Sequence, residues 1–532
     1  MFRTLFIACS LVIVLLAISA VQLSKPLNYG MEAEIFKSQD NKEISATSIK
    51  NTDEQARPNI VVILADDLGY GDIGLHGSKA IKTPNIDQLA VEGANFSQAY
   101  SSAAICSPSR AGLLSGRYPL RSGIIHPIQA AGDSFARKAS YKAAVAFSNL
   151  AAIDMIGGGN AVKGLPADEI TIAELLKSAG YRTAVFGKWH LGDFTAWPEY
   201  HPHKHGFDHF VGFNMSNDDW PVAFYRNKEK MIGDIGLDQA HYTKLFTEEA
   251  IKFIQQESQE PFFIFLSQKD PHQPFFPSEN FAGKSLGGPY GDAVEEFDWS
   301  VGAVLEALKK QGIDKNTLIL VTSDNGPWYE GSAGSLRGRK GQSYEGGFKV
   351  PLLARWPNQI PAGTKIDVSV MNIDFLPSFA AAAGVSLPQD RIIDGKSFLP
   401  LFKEPSKSHE EFSQRPLYFF HDYDVEAIRL GDWKLIANNS HYVWPNPLDK
   451  NDSLIGGLAG SRDYKPANSS TSVATLGTWP LLYNLQTDPG EAYNLAKSLP
   501  EKKEFLHSKL DQWKTEFYRN PRGWIQNSED KN

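Results

Sequence analysis

The chain has 532 residues, which is enough for one large domain with its own hydrophobic core and a smaller one. Its composition, 42% hydrophobic and 21% charged, is that of a globular protein and excludes a largely disordered chain. The net charge is −8 and the chain has no long basic run, so we expect no nucleic-acid partner.

The N-terminus has the features of an export signal. Arg3 precedes the apolar run 5–20 (LFIACSLVIVLLAISA), which ends in small residues. We therefore interpret 1–20 as a signal peptide and expect an exported protein, periplasmic or secreted, without stable membrane insertion after signal removal. A retained membrane anchor is the alternative. The polar stretch 21–57 has no apolar period and is predicted to be a linker.

Four continuous apolar runs predict strands that are buried on both faces of a parallel sheet. The runs are 59–65, 182–186, 261–266 and 317–321. Polar residues follow them, in the same order: Asp66 and Asp67, Lys188 and His190, Asp270 and His272, and Asp324 and Asn325. Ligands bind outside the carboxyl ends of parallel strands, so the four endings together predict a single site.

Helical segments separate these strands. Helices are predicted over 84–92, before the stop signal Gly93, and over 171–179, where Thr171 opens a capping box. A longer amphipathic helix is predicted over 292–311. Strands that alternate with helices predict an α/β fold, in which helices flank a large, mostly parallel (mixed) sheet on both faces.

The pattern changes in the C-terminal part of the chain. Residues 427–436 predict a hairpin, 481–485 a short strand and 500–517 a last helix. We therefore expect a small antiparallel α+β subdomain over 406–532, following a catalytic domain over 58–405.

One cysteine stays in the exported protein, because Cys9 lies in the predicted signal peptide. Cys106 therefore has no internal disulfide partner, and stability must come from core burial and bound metal. The sequence CSPSR, residues 106–110, predicts a helix start with Ser107 as N-cap and Pro108 at the first helical position. Free backbone N–H groups and Arg110 would then face an anion. The same setting lowers the pKa of a thiol, so a Cys–His nucleophile stays open.

The segment CSPSR, with the four strand endings in this order, resembles the signature of type I sulfatases in the alkaline phosphatase superfamily. The resemblance runs from about Pro58 to at least Trp356 and more weakly through the C-terminal subdomain. It is closest in style to the arylsulfatase A and N-acetylgalactosamine-6-sulfatase group. It implies hydrolysis of sulfate esters, with Cys106 oxidised to formylglycine by a formylglycine-generating enzyme as a maturation partner.

The resemblance also implies roles for individual side chains. The metal ligands that it implies are Asp66, Asp67, Cys106, Asp324 and Asn325. This oxygen-rich set suits Ca²⁺, or Mg²⁺, better than Zn²⁺. The catalytic residues that it implies are Cys106, Arg110, Lys188, His190, His272 and Lys340. Cations would neutralise the sulfuryl oxygens, His272 would protonate the leaving oxygen, and His190 would assist sulfate release.

A sulfated saccharide is the substrate class that the sequence favours. Export, the small C-terminal subdomain and the aromatic, histidine-bearing loop 197–220 favour a sugar over a steroid or lipid. The substrate-binding candidates are Ser216, which matches a serine of the family, and His203, Trp220 and Arg337.

Two further features have several interpretations. The run 200–209 contains four histidines, but no obvious ligand set is complete, so packing or substrate contact is favoured over zinc. Three tryptophans follow motif strands or lie in long loops, and each taken alone favours packing over a sugar platform: Trp197, Trp220 and Trp328. Residues 129–163 form an irregular insertion that would be a lid or a subsite wall.

Two other functions stay open. A phosphodiesterase or phosphonate monoester hydrolase of the same superfamily is the nearest, although the further His and Asp ligands of its two-zinc members are missing. A non-catalytic carbohydrate-binding relative would need a broken site, and the matched positions are intact.

Overall fold

The computed structural model describes residues 57–132, 162–404, 410–421, 424–437 and 480–525. The predicted signal peptide, nearly all of the predicted linker and most of the predicted insertion lie outside these ranges. Among the helices in these ranges, none has the length and apolar character that a membrane span requires.

A ten-stranded mixed sheet forms the centre of the molecule. Its strands, in spatial order, are β11 (Thr364–Ile366), β2 (Ala94–Phe96), β10 (Leu352–Arg355), β9 (Thr317–Ser323), β1 (Asn59–Ala65), β8 (Phe262–Ser267), β4 (Arg182–Lys188), β5 (His209–Phe213), β6 (Phe224–Arg226) and β7 (Glu229–Ile232). The five neighbours β9, β1, β8, β4 and β5 run parallel. The four predicted strands are among them, and the predicted mixed sheet is confirmed.

Side chains of β1 alternate between two hydrophobic cores, one on each face of the sheet, as the two-residue period of a strand requires. Val62 enters the first core and Val61 the second. The first core includes α2 (Cys106–Ser115), α3 (Ile172–Ser178) and α7 (Phe375–Ala383), and the second includes α1 (Pro84–Glu92), α4 (Tyr242–Ile254) and α5 (Gly288–Lys310). Helices therefore flank the sheet on both faces, as predicted.

The predicted helix boundaries hold closely for α1 and α3. Thr171 is the N-cap of α3 and forms the predicted capping box with Glu174. The helix α5 begins at Gly288, four residues before the predicted start. Pro289 suits the first turn of that helix, where its missing N–H group has no intrahelical partner to lose.

A second, antiparallel sheet forms in the C-terminal part of the chain. Its strands are β13 (Leu417–His421), β14 (Asp424–Leu430), β15 (Trp433–Ile436) and β16 (Leu481–Asn484), in this order. The helix α10 (Pro500–Arg519) packs against it, with Trp513 stacked on Tyr418 at 4.1 Å. This sheet shares a core with Tyr100 and Phe348 of the larger part. The described ranges also contain short 3-10 helices, a two-stranded sheet of β3 (Ala99–Tyr100) and β12 (Val370–Met371), and the short α-helices α6 (Glu345–Phe348), α8 (Leu399–Lys403) and α9 (Glu410–Ser413).

Glu296 on α5 is a buried carboxyl group that should make stability depend on pH. Its Oε2 accepts a hydrogen bond from Ser278 N (2.6 Å), and burial, together with the charge of Asp270, raises its pKa from 4.5 to about 7. The folded state therefore binds this proton more tightly than the unfolded chain. The stabilisation is complete below pH 4.5 and is lost as the pH rises through 7.

We expect the isosteric substitution Glu296→Gln to change the free energy of unfolding more favourably at pH 8 than at pH 5. The two effects should differ by on the order of 3 kcal/mol. Denaturant unfolding of both proteins at the two pH values measures the difference. Glu306→Gln, on the same helix but 58% exposed, is the matched control and should show no such pH dependence. An equal effect of Glu296→Gln at both pH values would contradict the prediction.

Candidate active site

The carboxyl ends of β9, β1, β8 and β4, which are adjacent in the sheet, bring the predicted site residues together. Asp66 and Asp67 follow β1, Asp324 and Asn325 follow β9, and Lys188 is the last residue of β4. All five side chains are buried. The single site that the four strand endings predict therefore forms at this edge of the sheet.

Cys106 is the first residue of α2, and its thiol faces the two carboxylates that follow β1. Its Sγ lies 3.5 Å from Asp66 Oδ1 and 3.9 Å from Asp67 Oδ1. Burial raises the pKa of the Cys106 thiol well above its usual value, and the charges of Lys188 and Lys340 oppose this only in part. A thiol that keeps its proton is a poor nucleophile, so these surroundings disfavour the Cys–His alternative.

The predicted cap of α2 is wrong. Ile105 is the N-cap, so Cys106 is the first helical residue and Pro108 the third. The hydroxyl of Ser107 accepts a hydrogen bond from Ile128 N (2.9 Å), a partner distant in sequence that no local pattern reveals. Pro108 is tolerated because N–H groups in the first turn of a helix lack intrahelical partners.

Two buried lysines are ion-paired with the same two carboxylates. Lys188 Nζ lies 2.5 Å from Asp66 Oδ2, and Lys340 Nζ lies 2.7 Å from Asp67 Oδ2. Burial alone would lower the pKa of each lysine, but the carboxylates outweigh it and raise both pKa values. Lys188 in turn holds the pKa of Asp66 well below its usual value, against the effect of burial. The charged forms of Lys188, Lys340 and Asp66 are therefore favoured.

Arg110 is the third buried cation of the site. Its Nε donates to Asp324 Oδ2 (2.9 Å), and its Nη1 donates to the backbone oxygen of Lys188 (3.0 Å). Its Nη2 lies 3.6 Å from Asp66 Oδ1. Burial and the negative charge of Asp66 raise the pKa of Asp324 to about 6, while Arg110 opposes them. The hydrogen bonds to Asp324, which follows β9, and to Lys188 of β4 hold the guanidinium in one orientation.

One group of side chains in the described ranges has the spacing of a metal site. Its potential ligand atoms lie within 4.8 Å of one another and belong to Asp66, Asp67, Cys106 and His272. This group shares three members with the predicted ligand set but contains His272 and not Asp324. Asp324 stands slightly apart because its Oδ1 accepts a hydrogen bond from Asp67 N (3.1 Å) and its Oδ2 faces Arg110.

Asn325, the remaining predicted ligand, borders this group. Its Nδ2 donates to Asp67 Oδ1 (2.7 Å), whereas its Oδ1 is buried and has no hydrogen-bond partner in the part of the chain that the structure describes. A buried oxygen without a partner is costly unless a cation or water completes it. The donor set, mostly carboxylate and amide oxygens, therefore fits a hard divalent cation such as Ca²⁺ or Mg²⁺.

His190 is buried beside the cations. Its Nε2 lies 3.0 Å from the backbone oxygen of Ile128 and 3.9 Å from Asp219 Oδ2. Its Nδ1 has no hydrogen-bond partner among the described residues. Burial, together with Lys188 and Arg110, lowers the pKa of His190 well below its usual value. The neutral form of the ring is therefore favoured, and Nδ1 is the atom at which it could accept a proton.

His272 is the second buried histidine beside the carboxylates. Its Nδ1 lies 2.5 Å from the backbone oxygen of Gln273 and 4.0 Å from Asp218 Oδ1. Its Nε2 lies 3.7 Å from Asp67 Oδ2. This ring can therefore face both the carboxylate cluster and a group that enters from outside.

The loop after β5 carries two residues of the site that sequence reasoning missed, Asp218 and Asp219. Ser216, a predicted substrate contact, is buried and accepts a hydrogen bond from Lys188 Nζ (2.9 Å). Asp219 Oδ2 accepts a hydrogen bond from Ser216 N (2.9 Å), and burial with the charge of Asp218 raises its pKa to about 8. The only signal in the sequence was two acids beside the matched serine.

The other predicted substrate contacts differ in their surroundings. Trp220 is 70% exposed, close in sequence to the site acids. His203 stacks on His201 at 4.8 Å, and Arg337 lies over the ring of Tyr344 at 4.4 Å. Both side chains have packing partners within the protein, and their role as substrate contacts stays a prediction. In the described ranges, the histidines of the 200–209 run belong to no group with metal-site spacing.

Family models match nearly the whole described chain. Residues 58–385 match the model described as Sulfatase, residues 339–442 match N-sulphoglucosamine sulphohydrolase, C-terminal, and residues 412–521 match the C-terminal region of aryl-sulfatase. The matches cover the large sheet with its site and the C-terminal sheet.

Individual proteins and structures agree with these models. The chain is 34% identical to N-acetylgalactosamine-6-sulfatase of Mus musculus, over 82% of each chain. It is 33% identical to steryl-sulfatase of Homo sapiens, over 82% of this chain and 84% of that one. The crystal structure of Ps i-CgsB in complex with k-i-k-neocarrahexaose superposes with a TM-score of 0.67 at 27% identity, over 89% of this chain and 96% of the other. The chain therefore belongs to the sulfatase family, with the alkaline phosphatase-like fold of its relatives, and it is a hydrolase of sulfuric esters.

Proposed function

We propose that this sulfatase removes sulfate from a saccharide and that its nucleophile is a formylglycine made from Cys106. The observation that carries the proposal is the position of Cys106. It is the first residue of a buried helix, 3.5 Å from Asp66, in a cluster that also holds Lys188 and Lys340. The free N–H groups at the N-terminus of a helix and buried cations are what a sulfate ester group needs from a binding site.

Asp66, Asp67, Asp324 and Asn325 would hold a Ca²⁺ or Mg²⁺ ion, together with the oxidised side chain of residue 106. The partnerless Asn325 Oδ1 and the closely spaced carboxylates support this assignment. When bound, such an ion acts as a Lewis acid at a sulfuryl oxygen. Each of the three carboxyl groups is already paired with a basic side chain, so a divalent ion would add positive charge for an anionic substrate.

Arg110, Lys188 and Lys340 would bind and neutralise the sulfuryl oxygens. Each is buried and fixed by a carboxylate, so no reorganisation is needed when charge develops during sulfuryl transfer. Ser216 holds the ammonium group of Lys188 and can contact the same sulfate. The groups therefore form a preorganised pocket for one sulfate.

The two histidines would have different roles in proton transfer. His272 would donate a proton to the leaving oxygen, because it lies between Asp67 and the partly exposed Asp218, where a sugar could be bound. Neutral His190 would accept a proton near residue 106 when sulfate is released. Formylglycine, as a hydrated aldehyde, supplies one hydroxyl for attack and a second whose deprotonation expels sulfate.

A saccharide is supported as the substrate class by the comparisons and by Trp220. One relative is named for a sulfated amino sugar, and the Ps i-CgsB structure contains an oligosaccharide. Trp220, 70% exposed near the site, offers an apolar face of the kind that covers sugar rings. We also propose that the signal peptide 1–20 directs export and that a formylglycine-generating enzyme matures the protein. The proposed domains are 58–405 and 406–532.

The test is a panel of sulfated oligosaccharides and a simple aryl sulfate, with released sulfate measured for protein made together with a formylglycine-generating enzyme. At least one sugar should exceed the aryl sulfate by about tenfold or more in kcat/KM, because its ring adds binding energy beyond the sulfate. If the aryl sulfate is the best substrate, the saccharide assignment is wrong.

We expect His272→Ala to act according to the leaving group. Turnover of a sugar sulfate, whose alkoxide needs a proton, should fall by about 10²- to 10⁴-fold, whereas an activated aryl sulfate should lose far less. His507→Ala, at a 40% exposed position on α10, is the matched control. Equal losses on both substrates, with weaker calcium binding, would show that His272 serves the metal site and is not the acid.

A further inference from the structure

The loop 214–223, which connects β5 to β6, borders the site, and its inner side is held by hydrogen bonds. Ser216 accepts a hydrogen bond from Lys188, and Asp219 accepts one from Ser216 N and lies 3.9 Å from His190. Asn214 Oδ1 also accepts a hydrogen bond from Ala223 N (2.8 Å), which closes the base of the loop. Two residues lie between Ser216 and Asp219, and only one of them has an exposed side chain, since Asn217 is buried.

That residue is Asp218, which lies partly exposed beside His272. Its Oδ1 lies 4.0 Å from His272 Nδ1, while 44% of its side chain is exposed. His272 thus lies between the buried Asp67 and the partly exposed Asp218. A sugar bound beside His272 would therefore lie near the Asp218 carboxylate.

Asp218 lies close to several basic groups. Burial raises its pKa, but His272, Lys188 and Lys340 outweigh burial and lower it. A surface built only to attract anions would not carry a carboxylate. Its neighbour Trp220 is 70% exposed, so an acceptor group and an aromatic face occur together on one short loop.

Resting on the proposed function, we propose that Asp218 is a specificity-determining residue. Its carboxylate accepts hydrogen bonds from hydroxyl groups of the sugar that carries the scissile sulfate, and it disfavours a second anionic group at that place. Carboxylates accept hydrogen bonds from hydroxyl groups but repel sulfates and carboxylates at the same distance. The preferred substrate is then a sugar ring with one sulfate and free hydroxyls beside it.

The experiment compares galactose that carries one sulfate, at position 3, 4 or 6, with the corresponding disulfates. It uses protein made together with a formylglycine-generating enzyme. For the unchanged protein we expect kcat/KM to favour the best monosulfate over its disulfate by about tenfold or more. Asp218→Asn should remove most of this preference. Its kcat/KM should fall for the monosulfate and rise for the disulfate, mainly through changes in KM. Asp218→Glu, which keeps the charge, should retain part of it.

Asp511→Asn on α10, at a 65% exposed position, makes the same charge change and should leave the preference intact. If the unchanged protein hydrolyses sugars well but Asp218→Asn has the same ratio of rates, this inference is wrong and the saccharide function stands. Turnover of an aryl sulfate such as 4-nitrophenyl sulfate without turnover of any sugar would overturn both.

Discussion

Cys106→Ala should abolish sulfate release, with a fall in kcat on the order of 10⁴-fold or more, as for the loss of other enzymatic nucleophiles. The thiol is buried, and burial raises its pKa, so the unmodified side chain is a poor nucleophile. In the unchanged protein, activity should rise in proportion to the fraction of chains in which residue 106 has become an aldehyde. Peptide mass around residue 106, measured for preparations with different maturation, gives that fraction.

Two reagents provide the control for this prediction. A hydrazide, which reacts with aldehydes, should inactivate the mature enzyme, whereas iodoacetamide, which reacts with thiols, should not. Retention of fold in Cys106→Ala is checked by its melting temperature, since alanine is a good residue inside a helix. Full activity of protein that carries an intact thiol at residue 106 would refute the formylglycine proposal and restore the Cys–His mechanism.

The sequence could predict the strands that position the site because each has a strong local pattern. The run 59–65 is apolar throughout, as a strand with parallel neighbours on both sides must be, and β1 has these bounds in the structure. The edge strands gave no such signal. Strand β7, with the sequence EKMI, is exposed at all four residues, and it is a strand only because β6 lies beside it. Edge strands owe their structure to a partner that is not local in sequence.

The same distinction applies to the site. The acids and lysines at strand ends could be found because each follows a recognisable run and matches a family motif. Asp218 and Asp219 could not, since two acids in a loop are ordinary and only the adjacency of β4 and β5 brings them to the histidines. Ser107 was misjudged for a similar reason, because its hydrogen-bond partner Ile128 lies 21 residues further along the chain.

The cluster must keep three carboxylates and three cations buried, which is costly unless each charge has a partner. Asp66 pairs with Lys188, Asp67 with Lys340 and Asp324 with Arg110. The negative charge of Asp324 is destabilised in this cluster, since burial and Asp66 raise its pKa to about 6. A bound divalent ion would favour the charged form of Asp324, so metal binding and folding stability should be coupled through this side chain.

Asp324→Asn should therefore lose both calcium binding and sulfate hydrolysis. Asparagine keeps the shape and an acceptor for Arg110, but it removes the charge, so the loss of affinity should exceed the ~10- to 100-fold typical of groups outside the ligand shell. Calcium at about 100 times its Kd should stabilise the unchanged protein by about 2.7 kcal/mol and the variant by far less. Thermal unfolding with calcium or with a chelator measures this without any assay of turnover. Asp238→Asn, at an 89% exposed position, is the matched control. If calcium stabilises Asp324→Asn as strongly as the unchanged protein, the ion is held by the group of Asp66, Asp67, residue 106 and His272, and Asp324 serves to orient Arg110.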